Sequence, residues 1–293
     1  MLLVASSFLG GCAWLNAKQS ELALRPTPGR PANLAPDSEL FGPRDERWQV
    51  PVPATRMAGL PMPSQPDLLT LWWLPSPEPG APALLYLHGT FRNLYPNLPK
   101  IQAIRDAGYS VLAVDYRGWG DSTVIVPDEE TIAADAQAAW AEFQRRQPVP
   151  GRRVIFGHSM GGAVAVRLAS GLRWQHDYGA LVVESSFTRM PEVAGEAGFW
   201  GRVAARLTTL EFDAVGRIPK VDAPVLLLHG TADRTVPITL GRRLRDVALK
   251  AQPEPGRVRW VELPGGSHSH LHREFRDDYI ATFRALAQRL PSP

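Results

Sequence analysis

The sequence holds one cysteine, Cys12, among 293 residues, so no disulfide can form within the chain. That alone does not fix a compartment, because a core of this size needs no covalent staple. Long apolar runs are also missing. A membrane-spanning helix takes about 20 consecutive apolar residues, and the apolar start of the chain, MLLVASSFLGG, is shorter. Charge of one sign is scarce as well: 32 Lys and Arg stand against 29 Asp and Glu, a net charge of +3. The cations are mostly arginine and are scattered, with no basic tract to follow a phosphate backbone, so nucleic acid is not an expected partner. No internal repeat is present. What remains is an ordinary globular composition, 44% hydrophobic and 21% charged, in a chain long enough for one large α/β domain.

The single cysteine sits in a telling place. Leu9-Gly10-Gly11-Cys12 resembles the lipobox of bacterial lipoproteins, which implies cleavage of a signal and lipidation of Cys12 as the first residue. The apolar stretch before it lacks a basic n-region, and the plain alternative is a frayed apolar N-terminus. On the lipoprotein reading the protein faces the periplasm or cell exterior, held to a membrane through Cys12. Ala13 lacks the aspartate associated with inner-membrane retention, which points to the outer membrane. On the plain reading it is cytoplasmic. Residues 13–47 are rich in proline, glycine and charge with little periodicity, and read as a flexible tether.

From Trp48 the pattern changes. Strands are expected near Trp48–Pro53, Leu68–Leu74, Ala83–His88, Ser110–Asp115, Val154–Phe156, Ala180–Val183, Val225–Leu228 and Val258–Leu263. Helices are expected near Pro99–Ala107, Asp128–Gln147, Thr239–Leu249 and Glu274–Leu290, with another starting at Ser159. Asp128 can cap its helix, and Glu129 and Glu130 suit the positive end of the dipole. Continuous apolar strands alternating with helices predict a mainly parallel sheet covered on both faces. Residues 187–218 break the alternation; they form either a small cap over a site or an ordinary crossover helix with a long loop.

The chemistry centres on Gly157-His158-Ser159-Met160-Gly161, a G-x-S-x-G between a strand and a helix. In that context the serine occupies a strained turn that exposes its hydroxyl, and bulk at the flanking positions would collide across the turn. A serine hydroxyl needs a base within hydrogen-bond reach. Asp233 lies just beyond the strand VLLLH, and His268 follows Gly265-Gly266 beyond the next strand, giving the chain order Ser, Asp, His. His270 and His272 are rival bases and Glu184 is the rival acid; His88 and His229 read as structural. The oxyanion donors expected are the backbone amides of Met160 and Thr90.

Together YLHGTFRN, DYRGWGDS, GHSMGG, ESSFTR, VLLLHGTADRTVP and GGSH resemble the α/β-hydrolase superfamily. They are most similar to its compact esterases, thioesterases and monoacylglycerol-lipase-like enzymes. The resemblance runs from about Leu68 to the C-terminus, within a domain of residues 48–293. It implies an eight-stranded sheet, no cofactor and no metal, and makes DYRGWGDS a family turn whose Trp119 could border the pocket. The expected activity is hydrolysis of an ester or thioester through an acyl-enzyme, on a small or lipid-like substrate of short to medium acyl length. A serine peptidase or acyltransferase remains open, as does a non-catalytic lipoprotein that keeps the fold.

Overall fold

The computed structural model describes residues 17–55, 63–196 and 198–292; Cys12 and the lipobox-like stretch lie outside these. Eight strands form one sheet: β1 (Glu46–Val52), β2 (Asp67–Leu74), β3 (Ala83–Leu87), β4 (Ser110–Asp115), β5 (Arg153–His158), β6 (Ala180–Glu184), β7 (Val225–Gly230) and β8 (Val258–Leu263). Their order across the sheet is β1-β2-β4-β3-β5-β6-β7-β8. β2 runs antiparallel to both β1 and β4, and every pairing from β4 to β8 is parallel. This is the α/β-hydrolase fold that the sequence predicts.

Successive side chains of a strand point to opposite faces, so a strand with helices on both sides must be apolar throughout. β3 shows this directly. Leu85 and Leu87 enter one core cluster, whereas Leu84 and Tyr86 enter the other. β4, β5, β6 and β7 divide in the same way, with Leu112, Ile155, Leu181 and Leu227 on the first side and Val111, Phe156, Val182 and Leu226 on the second.

The helices are α1 (residues 17–24), α2 (Asp37–Leu40), α3 (Leu94–Asp106), α4 (Glu129–Arg146), α5 (Met160–Ala169), α6 (Met190–Glu196), α7 (Gly198–Leu207), α8 (Ala214–Arg217), α9 (Ile238–Ala251), α10 (Leu271–Glu274) and α11 (Arg276–Ala287). Asp128 caps α4 as expected, its carboxylate accepting from the Thr131 amide at 2.7 Å. α3 begins five residues before its expected start at Pro99. Asn93 is the reason: its side chain accepts from the Tyr95 amide at 3.3 Å and caps the helix there.

The larger departure concerns the segment read as a tether. Residues 17–47 lie packed on the domain. Leu24 is fully buried in the first core cluster, and Leu34, Leu40 and Phe41 pack against the second. The Gly29 amide donates to the Gly120 carbonyl at 2.6 Å and the Gly120 amide to the Thr27 carbonyl at 3.0 Å. Asn93 Nδ2 donates to the carbonyls of Thr27 and Gly29. An irregular segment whose backbone groups find partners on a domain has no reason to remain in water.

Candidate active site

All the motif loops leave the carboxyl ends of parallel strands, and so they meet at one edge of the sheet. Ser159 follows β5, Asp233 follows β7 and His268 follows β8. Ser159 sits at φ 57° and ψ −122° between β5 and α5. A side chain on Gly157 would collide with the Gly161 carbonyl, and one on Gly161 with the Leu87 carbonyl, so this approach of helix to sheet admits only hydrogen at both positions. Three hydrogen bonds hold the turn. The Ser159 amide donates to the Glu184 carbonyl at 2.9 Å, while the Ser159 carbonyl accepts from the Gly162 amide at 2.9 Å and from Ser186 Oγ at 2.8 Å.

His268 Nε2 lies 3.0 Å from Ser159 Oγ, and His268 Nδ1 lies 2.7 Å from Asp233 Oδ2. A carboxylate only accepts, so Nδ1 carries the proton and Nε2 is free to accept from the serine hydroxyl. Asp233 is nearly buried. Burial raises its carboxyl, but hydrogen bonds from His229 and His268 outweigh burial and hold it well below the usual carboxylate range. The Thr235 and Val236 amides donate to Oδ1 at 2.9 and 2.8 Å. A buried anion is tolerable only when satisfied in this way.

Beside Ser159 opens a cavity of about 680 Å³, lined by Thr90, Phe91, Met160, Phe187, Met190 and Val193, among others. That size falls within the roughly 300–1,000 Å³ typical of small-molecule sites. Residues 187–218 supply part of its wall through Phe187, Met190, Val193, Ala194, Leu207 and Thr208. Met160 opens α5, and its amide is one of the first-turn donors that a helix leaves unused. Trp119 does not border the cavity. It is fully buried behind the site, with its ring centroid 5.6 Å from that of His88.

A family described as "Serine aminopeptidase, S33" matches residues 82–214. An uncharacterized protein of Mycobacterium tuberculosis is 37% identical over 200 residues, covering 68% of this chain and 67% of its own. The Danio rerio protein named lysophosphatidylserine lipase ABHD12 is 32% identical over 200 residues, covering 62% of this chain and 51% of its own. The chain thus spans about half the length of that relative. Among solved structures, the Pyrococcus furiosus esterase Pf2001 superposes with a TM-score of 0.66 at 16% identity, covering 90% of this chain and 99% of the esterase. A Paleococcus ferrophilus monoacylglycerol lipase gives a TM-score of 0.55 at 20% identity, covering 75% and 98%. The chain belongs to the α/β-hydrolase superfamily.

In this hydrolase the rival residues have other surroundings. Glu184 is fully buried; it pairs with the Lys100 ammonium and accepts from Tyr279 Oη at 2.7 Å. Burial draws the Lys100 ammonium down against the pull of Glu184. His270 Nδ1 lies 3.4 Å from Ser267 Oγ. His272 is buried with its ring 6.4 Å from Tyr279, and burial and then Lys100 bring it down to about 3. His88 is neutral, lowered to about 4 by burial, and its Nδ1 lies 2.6 Å from the Gly89 carbonyl.

Two contacts were not legible in the motif. His229 Nε2 lies 3.2 Å from Asp233 Oδ2 and 3.0 Å from the Val236 carbonyl, so a second histidine braces the acid. His158 Nε2 lies 3.0 Å from the His268 carbonyl. Burial, followed by the charge of Lys100, holds His158 well below the ordinary histidine value, and it supports the loop of His268 as a neutral donor. Among the described residues, no group of three or more His, Cys, Asp or Glu is placed to hold a metal ion.

The two acids separate by experiment. Asp233→Asn should lower kcat by about 10⁴-fold, the loss seen when an imidazole loses its orienting anion. Glu184→Gln should keep most activity but lower unfolding free energy by about 3 kcal/mol, because Lys100 is left buried and uncompensated. Kinetics and urea unfolding of both variants check this; a larger kcat loss in Glu184→Gln would reverse the assignment.

Proposed function

We propose that this hydrolase cleaves the carboxylic ester of a single acyl chain through an acyl-enzyme on Ser159. The observation that carries the reading is the Ser159–His268–Asp233 relay opening onto an apolar cavity. Ser159 Oγ attacks the ester carbonyl carbon while His268 Nε2 takes its proton. The tetrahedral oxyanion is held by the amides of Met160 and Thr90, each such donor being worth about 3 kcal/mol. The carbon–oxygen bond to the alcohol then breaks, and His268 returns the proton to the departing alkoxide. Water, deprotonated by His268, repeats the sequence on the acyl-enzyme and releases the acid and free Ser159. Asp233 stays ionised and stabilises the imidazolium formed at each stage.

The cavity lining favours a lipid-like ester over a peptide. A free peptide N-terminus calls for a carboxylate, and the only charged side chain lining the cavity among the described residues is Arg25. Relatives named as lysophosphatidylserine and monoacylglycerol lipases support an ester bearing one acyl chain. In a series of p-nitrophenyl esters, kcat/KM should rise from acetate to octanoate and fall by palmitate, and Ser159→Ala should lose more than 99% of turnover. A rise continuing to palmitate, or a Ser159→Ala variant that keeps a tenth of wild-type kcat, would contradict the reading.

We infer further that lipidation of Cys12 holds the enzyme at a membrane. Among the described residues no helix is long and apolar enough to cross one. The five residues from Cys12 to the first described residue of α1 reach at most about 17 Å when extended, which would keep the catalytic edge close to the lipid. Cys12→Ser should move the protein from the membrane to the soluble fraction of its native cell. A wild-type protein found soluble, with a free Cys12 thiol by mass spectrometry, would end this proposal.

A further inference from the structure

α1 precedes the matched family region, which starts at residue 82, yet it forms one side of the cavity at Ser159. Gln19, Leu22 and Ala23 recur at i, i+3 and i+4, so they share a helix face, and all three line the cavity. Ser20 and Leu24, also four apart, are buried. α1 is therefore anchored by one face and offers another to the site. Gln19 Nε2 donates to the Leu207 carbonyl at 3.0 Å, which joins α1 to α7. Beyond the helix, Arg25 places its guanidinium over the Phe91 ring at 4.9 Å.

Three large apolar side chains on this lining remain in water: Leu22 is 72% exposed, Leu207 66% and Phe91 43%. All three line one cavity, and exposed apolar side chains gathered at a cavity mark a binding surface. An acyl chain too long for the space next to Ser159 would cover them.

We propose that α1 is part of the acyl-binding site and sets its chain-length preference, with the acyl chain running past Leu22 and Ala23 on one side and Leu207 on the other. The proposal rests on the ester-hydrolase reading above. Each methylene moved from water onto this surface should raise kcat/KM up to roughly fourfold. A carboxylate at position 22 or 207 would remove that gain for a long chain and touch a short one little.

The test is the ratio of kcat/KM for p-nitrophenyl octanoate to that for p-nitrophenyl acetate, measured on the full chain without detergent. The variants are Leu22→Asp, Leu207→Asp and, as a control, Leu249→Asp, an exposed leucine on α9 outside the cavity lining. The ratio should fall at least tenfold in the first two variants and stay within twofold in the control. A ratio unchanged in Leu22→Asp, or lowered in Leu207→Asp alone, would overturn the role of α1 while leaving the hydrolase reading intact. Wild-type protein that cleaves neither ester would overturn both. The exposure of Leu22 makes its replacement compatible with folding, and thermal midpoints check this.

Discussion

The close approach of α5 to the sheet is the constraint on which the candidate site depends. Ser159 is held in a backbone conformation that costs a residue with a side chain on the order of 1–3 kcal/mol, and hydrogen bonds from β6 and its following turn hold it there. Because Gly157 and Gly161 carry no side chain, α5 can start directly above the ends of β3 and β5. One outcome is a serine hydroxyl on the cavity wall beside Met160 at the start of α5. The other is that Thr90, on the loop after β3, is brought to the same cavity.

A second constraint is electrostatic. Asp233 remains ionised within the protein because two backbone amides and two imidazoles donate to it. Its orientation is thereby fixed, and so is that of His268. A parallel solution, built from different parts, lies under the same edge: Glu184 is neutralised by Lys100 and held by Tyr279. Glu184 is the last residue of β6 and Asp233 follows the adjacent β7, and only the carboxylate on the loop reaches a histidine that faces Ser159.

What could be read from the sequence was local. Buried strands declare themselves through continuous apolar runs, and the G-x-S-x-G, Asp and His elements stand immediately after such runs, so their meeting at one edge follows from the parallel sheet. What was hidden depends on partners far away in sequence. Residues 17–47 show little periodicity beyond the short α1, and their contacts join Gly29 to Gly120 and Gln19 to Leu207; composition alone made them a tether. Lys100 looks like a surface residue until β6 supplies Glu184. His229 lies near the end of an apolar strand and showed no sign that Asp233, four residues later, would turn back onto it. Trp119 lies in a motif next to the site and yet packs behind it, because the turn after β4 directs its ring toward His88.

An acyl-enzyme mechanism requires Ser159 to be an activated hydroxyl, and covalent trapping addresses that most directly. Wild-type protein treated with a fluorophosphonate should gain the mass of one adduct, and peptide mapping should place it on Ser159. The Ser159→Ala protein, folded by circular dichroism, should gain none. An unmodified wild type, or an adduct that persists in Ser159→Ala, would contradict the account.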